Sequence, residues 1–416
     1  QKKFNELFGN KFYFFQLEDW VFKPDFANDL LTKQFNTKTL KGFGVEDLKV
    51  ATIAAGAALH YLSETHHKES KHISTISRIE EDHYVWLDRF TIRNLELISS
   101  NNQDATTLID VLDKTVSPMG ARLLKRWMLL PLKNTKAIAK RHEVVEGLVN
   151  NKELLNELTS NISQISDLER LVSKVSIGKI SPREVNQLKN SLDALVPVKD
   201  LSESSEISAL KLISEQINSC DSLRQKIEKE LFEDAPVLLN KGNVIKDGVN
   251  QELDELRKIA FSGKDYLLNL QQRESERTGI TSLKIAFNNV FGYYIEVRNL
   301  HKGKVPEEWI RKQTLVNAER YITEELKEYE SKILGAEEKI GKLEHELFAE
   351  LTSSLLDYIQ PIQLNAQLIG QIDCLMSFAE IAKQNNYIRP LLDETSDLEI
   401  KNGRLRRANI GQRFAR

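Results

Sequence analysis

The stretch FNNVFGYYIEVRNLHKGKVPEEWIRKQTLVNAERY, from Phe287 to Tyr321, decides how this 416-residue chain is read. Just before and into it, Leu283, Ile285 and Phe287 alternate with polar or small residues, as a half-buried strand does. Asn288-Asn289 supplies a turn, because Asn tolerates left-handed backbone. Gly292 then opens Tyr293-Tyr294-Ile295-Glu296-Val297, a returning strand of strong β-formers. Gln313 to Ile322 reads as one further strand. Three strands on a stalk are enough for a small core of their own.

On both sides of this tip the period becomes helical. Leu253, Leu256, Ala260, Gly263, Leu267 and Leu270 step by three and four, the seam of a coiled coil. The pattern stops at Thr278-Gly279, where glycine ends a helix. After the tip, Thr323 is placed to cap a helix that opens on Glu324 and Glu325, carboxylates suited to the positive end of the helix dipole. Its seam runs Leu326, Tyr329, Ile333, Ala336, Ile340, Leu343 and Leu347, with no proline until Pro361. A helix over 324–358 spans roughly 50 Å. The expected fold is therefore mainly α and elongated, with long coiled arms carrying a small β-rich tip. An ordinary pair of bundle helices is the alternative.

Charge gives the tip a direction. Between Thr278 and Thr323 stand seven cations (Lys284, Arg298, Lys302, Lys304, Arg311, Lys312, Arg320) and four acids (Glu296, Glu307, Glu308, Glu319). The tip is net positive by three, the difference of those counts, while the whole chain carries −3. Asn299, His301, Gln313, Thr314 and Asn317 add neutral hydrogen-bonding groups. Such a mixture suits sequence-independent contact with a nucleic-acid backbone. A solvated charged face fits the composition equally well.

The rest of the composition excludes several classes. The chain is 29% charged and 41% hydrophobic, enough for a soluble protein with a core. Only 9 Pro and 18 Gly favour long helices over many turns. Cys220 and Cys374 match no metal spacing and read as free thiols of a reducing compartment. The longest apolar run, Val50 to Leu59, is too short to span a bilayer. A cytoplasmic location is expected. His66-His67, with His60 and His72, lie in a polar stretch without ligand spacing and read as a linker. Asp82-His83 behind Glu80-Glu81 reads as charged surface. No nucleophile–base pair stands out.

Several long motifs, in order, resemble one family. FNNVFGYYIEV followed by IRKQTLVNAERYITEELKEYE resembles the clamp of the MutS family of DNA mismatch-recognition proteins. Arg93-Asn94-Leu95-Glu96-Leu97, Leu112-Asp113, Thr115 and the run Met119 to Trp127 resemble the start of that family's core domain. Gly42-Phe43-Gly44 and the apolar helix Ala51 to Leu62 resemble the end of its connector. The resemblance implies a partial α/β connector over 1–78, an outgoing core and lever over 79–263, a clamp over 264–323 and a returning lever over 324–404. It implies phosphate contacts by Arg311, Lys312, Gln313, Thr314, Asn317 and Arg320, with Asn299 and His301 beside them. Many members have Lys where this chain has Val316, so one such phosphate contact is expected to be absent.

The same resemblance implies double-stranded DNA as ligand. For a full-length member it further implies a homodimer, a MutL-type partner, and ATP with magnesium. Two motifs of a full-length member are also missing from this sequence. No G-x-x-x-x-G-K-[ST] loop occurs, since Gly178-Lys179, Gly263-Lys264, Gly303-Lys304 and Gly341-Lys342 all lack the following hydroxyl and the earlier glycine. Phe4-Asn5-Glu6 imitates a mismatch-reading Phe-x-Glu triplet but lies within the connector-like segment. An internal fragment without catalytic residues, bound cofactor or metal is therefore expected, with residues 405–416 as a non-native tail. A purely structural coiled-coil scaffold is the alternative.

Overall fold

The computed structural model of the chain describes residues 16–45, 47–65, 73–79, 81–100, 105–288, 292–395 and 397–401. The Phe4-Asn5-Glu6 triplet, His66, His67, His72, Glu80 and the tail 405–416 lie outside them. The main helices are α1 (Pro24–Gln34), α2 (Lys49–Glu64), α3 (Pro118–Leu129), α4 (Thr135–Asn150), α5 (Lys152–Ile162), α6 (Leu168–Ser176), α7 (Pro182–Ser204), α8 (Ser208–Ser214), α9 (Asp221–Glu230), α10 (Gln251–Thr278), α11 (Glu324–Leu355) and α12 (Ile359–Asn385). The strands are β1 (Lys284–Asn288), β2 (Gly292–Arg298), β3 (Ile310–Thr314) and β4 (Ala318–Ile322). The protein is thus mainly α with one small antiparallel sheet. Residues up to Ile180, Gln187–Arg224 and Leu355 onward form one compact unit, and Ser181–Asn186 with Gln225–Ser354 form a second.

In the first unit, α12 is buried nearly all round, and α3, α4, α5 and α6 pack on it. A helix buried on every side has no solvent to satisfy its polar side chains, so each must find a protein partner. Asp373 accepts from Val116 N at 3.0 Å, from Ser117 N at 2.8 Å and from Ser117 Oγ at 2.5 Å. Ser117 in turn caps α3, accepting from Gly120 N. Asn365 exchanges two hydrogen bonds with the backbone of Asn218. Ser377 accepts from Lys114 N and donates to Leu112 O. Three polar residues on one helix thereby fix loops far away in sequence. Among the described residues of 16–79 there are helices and turns but no strand, so the α/β character expected there appears only in its helical part.

The second unit contains the two arms and the sheet. Asn250 caps α10 through Leu253 N, and Gly279 ends it in the left-handed conformation at φ +66°. Thr323 Oγ1 accepts from Leu326 N and caps α11, as its position promised. At 32 residues α11 is roughly 48 Å long. The heptad seam is the buried face: Leu253, Ala260, Leu267 and Leu270 on α10, with Leu326, Ile333 and Ala336 on α11. The rings of Tyr266 and Tyr329 stack between the arms at 3.5 Å. Farther along, Arg257 Nη2 meets the buried Glu344 carboxylate at 2.5 Å. The helix α10 runs unbroken through residues 263 and 264.

The sheet order is β1-β2-β4-β3, antiparallel throughout. It has four strands rather than three. Gln313 to Ile322 is not one strand, because the chain turns at Leu315–Asn317 and Leu315 N donates to Ala318 O. Ile310–Thr314 supplies the extra edge strand. The inward face places Ile295, Val297 and Tyr321 over Leu267, Leu270, Leu326 and Ile333, with Ile280, Leu283 and Trp309 closing the core. Strand alternation and helix seam therefore meet in a single small core.

Candidate nucleic-acid interface

The exposed residues proposed from the sequence gather along β3 and its turn. As an edge strand, β3 turns one row of backbone groups away from the sheet. Its register slips between Arg311 and Gln313, which face Tyr321 and Arg320, so Lys312 is the extra residue of a bulge. A bulge re-aims the side chain it inserts, and Lys312 is exposed without a carboxylate partner among the described residues. Thr314 and Asn317 are exposed beside it, and Val316 at the turn is 91% exposed.

Glu319 organises the cations behind this edge. It lies on the inward face of β4, opposite Val297 and Thr314, and is almost wholly buried. Its carboxylate takes Lys302 Nζ at 2.7 Å, Arg311 Nη1 at 3.4 Å and the Tyr321 hydroxyl. The bond from Lys302 chiefly, then that from Tyr321, hold the carboxyl below its usual range. Burial first, and this carboxylate second, push the Tyr321 hydroxyl up to about 12. Arg311 nonetheless keeps a side chain 57% exposed.

Asn299 and Arg320 are engaged within the fold. Asn299 N donates to Asn317 O at 3.2 Å and Asn299 Nδ2 to Val316 O at 2.9 Å, which ties the loop 299–304 to the β3–β4 turn. His301 is half-buried in that loop. Arg320 points to the outer face of the sheet, donating to Gln313 Oε1 at 2.8 Å and Glu296 Oε2 at 3.3 Å while stacking on Tyr294. Gln313 is thus occupied with Arg320 rather than presented alone. The structure brings Arg311, Lys312, Thr314 and Asn317 to one accessible edge, and sets Asn299, Gln313 and Arg320 as its supports.

Glu319 and Lys302 were not singled out from the sequence. The signal available was alternation: Glu319 shares parity with Tyr321, so a strand that buries the tyrosine also turns the glutamate inward. Lys284, Arg298, Lys304 and Lys312 have no carboxylate within ion-pair distance among the described residues. Of these only Lys312 lies on the β3 edge, where it stands beside the exposed Arg311, Thr314 and Asn317. Such an edge can meet an anionic backbone.

No described helix is long and apolar enough to cross a membrane. No group of three or more His, Cys, Asp or Glu among the described residues could hold a metal. Both cysteines are free and buried, and burial raises the Cys220 thiol to about 11.

Comparison with known proteins places these elements. The family model for MutS domain III matches residues 90–379, and that for MutS domain II matches residues 10–74. The chain is 61% identical over 404 residues to the DNA mismatch repair protein MutS of Flavobacterium johnsoniae, covering 97% of this chain and 46% of that protein. It is 58% identical over 404 residues to the protein of the same name from Christiangramia forsetii, at 97% and 46% coverage. The Bacteroides fragilis protein of that name is 58% identical over 401 residues, at 96% and 46%. The chain thus spans about half the length of these curated relatives.

Proposed function

From the premise that this chain belongs to the MutS family of DNA mismatch repair proteins, we propose that its four-stranded sheet is a clamp that grips double-stranded DNA by the phosphate backbone. The observation that carries this reading is the β3 edge, where bulged Lys312 and exposed Arg311, Thr314 and Asn317 face solvent over the Glu319 hub. Arg311 and Lys312 supply charge, while Thr314 and Asn317 supply hydrogen bonds. Phosphate contacts of this kind position a protein without reading sequence.

In this reading α10 and α11 are levers, the clamp spans 264–323 and so takes in the last turns of α10 with the sheet, and core and lever segments adjoin over 79–263 and 324–404. The supports are the capped, heptad-seamed helices and the shared core with the sheet. For the whole protein we propose mismatch recognition as a homodimer with a MutL-type partner and ATP-driven release, in the cytoplasm. No residue of this sequence is assigned to ATP or magnesium, because it contains no loop that would cradle phosphates. We accordingly propose that this chain grips DNA without turnover.

The test is binding of the chain to a perfectly paired duplex and to the same duplex with one mismatch, across a salt series. Backbone gripping predicts equal affinity for both and a steep linear fall of log K with log salt. Self-association with no DNA binding at low salt would instead leave the chain a scaffold.

A further inference from the structure

The most uniformly basic segment of the described chain is not in the clamp. From Lys114 to Arg141 the sequence holds eight Lys or Arg and no Asp or Glu, bounded by Asp113 and Glu143. The segment comprises α3, the loop after it and the start of α4. In a chain with 61 acids, such a run is a feature of the surface it builds.

The structure sorts these cations. Arg122 is committed to Asp167 and Glu169, at 2.7 and 2.6 Å. The Arg141 guanidinium carbon lies over Trp127, 3.4 Å from its ring centroid, and joins α4 to α3. Lys125, Arg126, Lys136 and Lys140 are exposed and have no carboxylate partner among the described residues. Leu124 on α3 and Val144 and Leu148 on α4 are buried in the core around α12, while Lys136 and Lys140, on the same i, i+4 row as Val144, are exposed over the first turns of α4. The Arg141–Trp127 contact brings the Lys140–Arg141 step of α4 beside the Arg126–Trp127 step of α3. Lys136 and Lys140, and Arg122 with Lys125 and Arg126, occupy neighbouring positions one turn apart.

We infer that the exposed cations of α3 and of the first turns of α4, brought together where Arg141 covers Trp127, form a second contact surface for the nucleic-acid backbone, separate from the clamp. The inference rests on the DNA-binding reading above and extends it to the first unit. Point charges one helical turn apart, with the neighbouring acids Asp167 and Glu169 already engaged by Arg122, suit the dense phosphate charge of a duplex. An acidic protein surface is the competing partner, and binding to polyglutamate distinguishes it from a duplex.

The experiment compares four forms of the full chain on a perfectly paired DNA duplex over a salt series: the parent, Lys125→Ala/Arg126→Ala/Lys136→Ala/Lys140→Ala, Arg311→Ala/Lys312→Ala, and the combination. The quadruple substitution is expected to weaken binding and to lower the salt slope by ~3 to 4, about 0.9 for each phosphate no longer neutralised. The effect should add to that of the clamp pair. Hydrogen exchange on α3 and α4 should slow when DNA is added to the parent. An unchanged slope and unchanged exchange overturn the inference even if the clamp pair weakens binding, and so does retention on polyglutamate with no effect on DNA. If only the quadruple form is weakened, the inference stands and the clamp reading fails.

Discussion

Glu319 holds the Lys302 ammonium at 2.7 Å from a position on the inward face of β4, so a buried carboxylate fixes the loop 299–304 against the second hairpin of the sheet. The same carboxylate receives Arg311 and the Tyr321 hydroxyl. One acid thus sets the orientation of two cations at the edge proposed to meet DNA.

This pairing makes the second unit acid-sensitive. The Glu319 carboxyl is held below its usual range by Lys302 and then Tyr321. The unfolded chain therefore binds the proton more readily, and the stabilisation is complete above about 4.3 and lost as pH falls through the folded value. Trp309 is the only tryptophan of 225–354 and is buried in the sheet's core, so its fluorescence reports on this unit. The denaturation midpoint read by Trp309 should fall below pH ~4, and Glu319→Gln should flatten that acid limb. Identical acid limbs in the two proteins would rule out this role for Glu319.

Gly292 is a second sensitive point. It sits at φ +75°, and a Cβ there would enter the Glu330 carboxylate. Glu330 in turn accepts from Tyr293 N at 3.3 Å. Gly292→Ala should cost about 1–3 kcal/mol, from left-handed strain and the clash together. The check is the same Trp309 midpoint, with no change expected in the first unit.

The arms are joined by a buried ion pair. Glu344 is 1% exposed, and Arg257 meets it at 2.5 Å while also reaching Asp247 and Ile245 O. Removing one partner strands the other charge, so Arg257→Ala should cost about 3–5 kcal/mol. Replacing both, as Arg257→Met with Glu344→Leu, should cost less than the single change. Chemical denaturation of the single and double variants settles the order.

In the first unit, Asp373 anchors the loop before α3. Asp373→Ala would strand the N–H groups of Val116 and Ser117, at about 1–3 kcal/mol for a buried donor. Gly120→Ala would press a Cβ into the same carboxylate. Both should lower the thermal midpoint of the first unit and leave the Trp309 signal nearly unmoved.

Much of the second unit was legible in the sequence. Helix seams, the Thr323 cap and the Gly279 terminator are local signals, because each depends on spacing along a few residues. The β3–β4 hairpin was missed because Leu315-Val316-Asn317 carries no glycine or proline, so a turn inside an alternating stretch looked like continued strand. The bulge at Lys312 is set by register against β4, which spacing alone does not encode. Arg320 and Asn299 read as exposed contacts because Arg and Asn usually are. Their partners Glu296, Gln313 and the Val316 carbonyl become neighbours only once the sheet is assembled. In the first unit, the bonds of Asp373 and Asn365 cross 256 and 147 residues, beyond any local pattern.

The central claim is that the β3 edge grips the DNA backbone, and Arg311→Ala/Lys312→Ala addresses it directly. The account predicts that this pair weakens binding to paired and mismatched duplexes alike and lowers the salt slope by about 1.8, two phosphates at ~0.9 each. Trp309 fluorescence should show the sheet still folded. Unchanged affinity and slope in a folded variant would contradict the account.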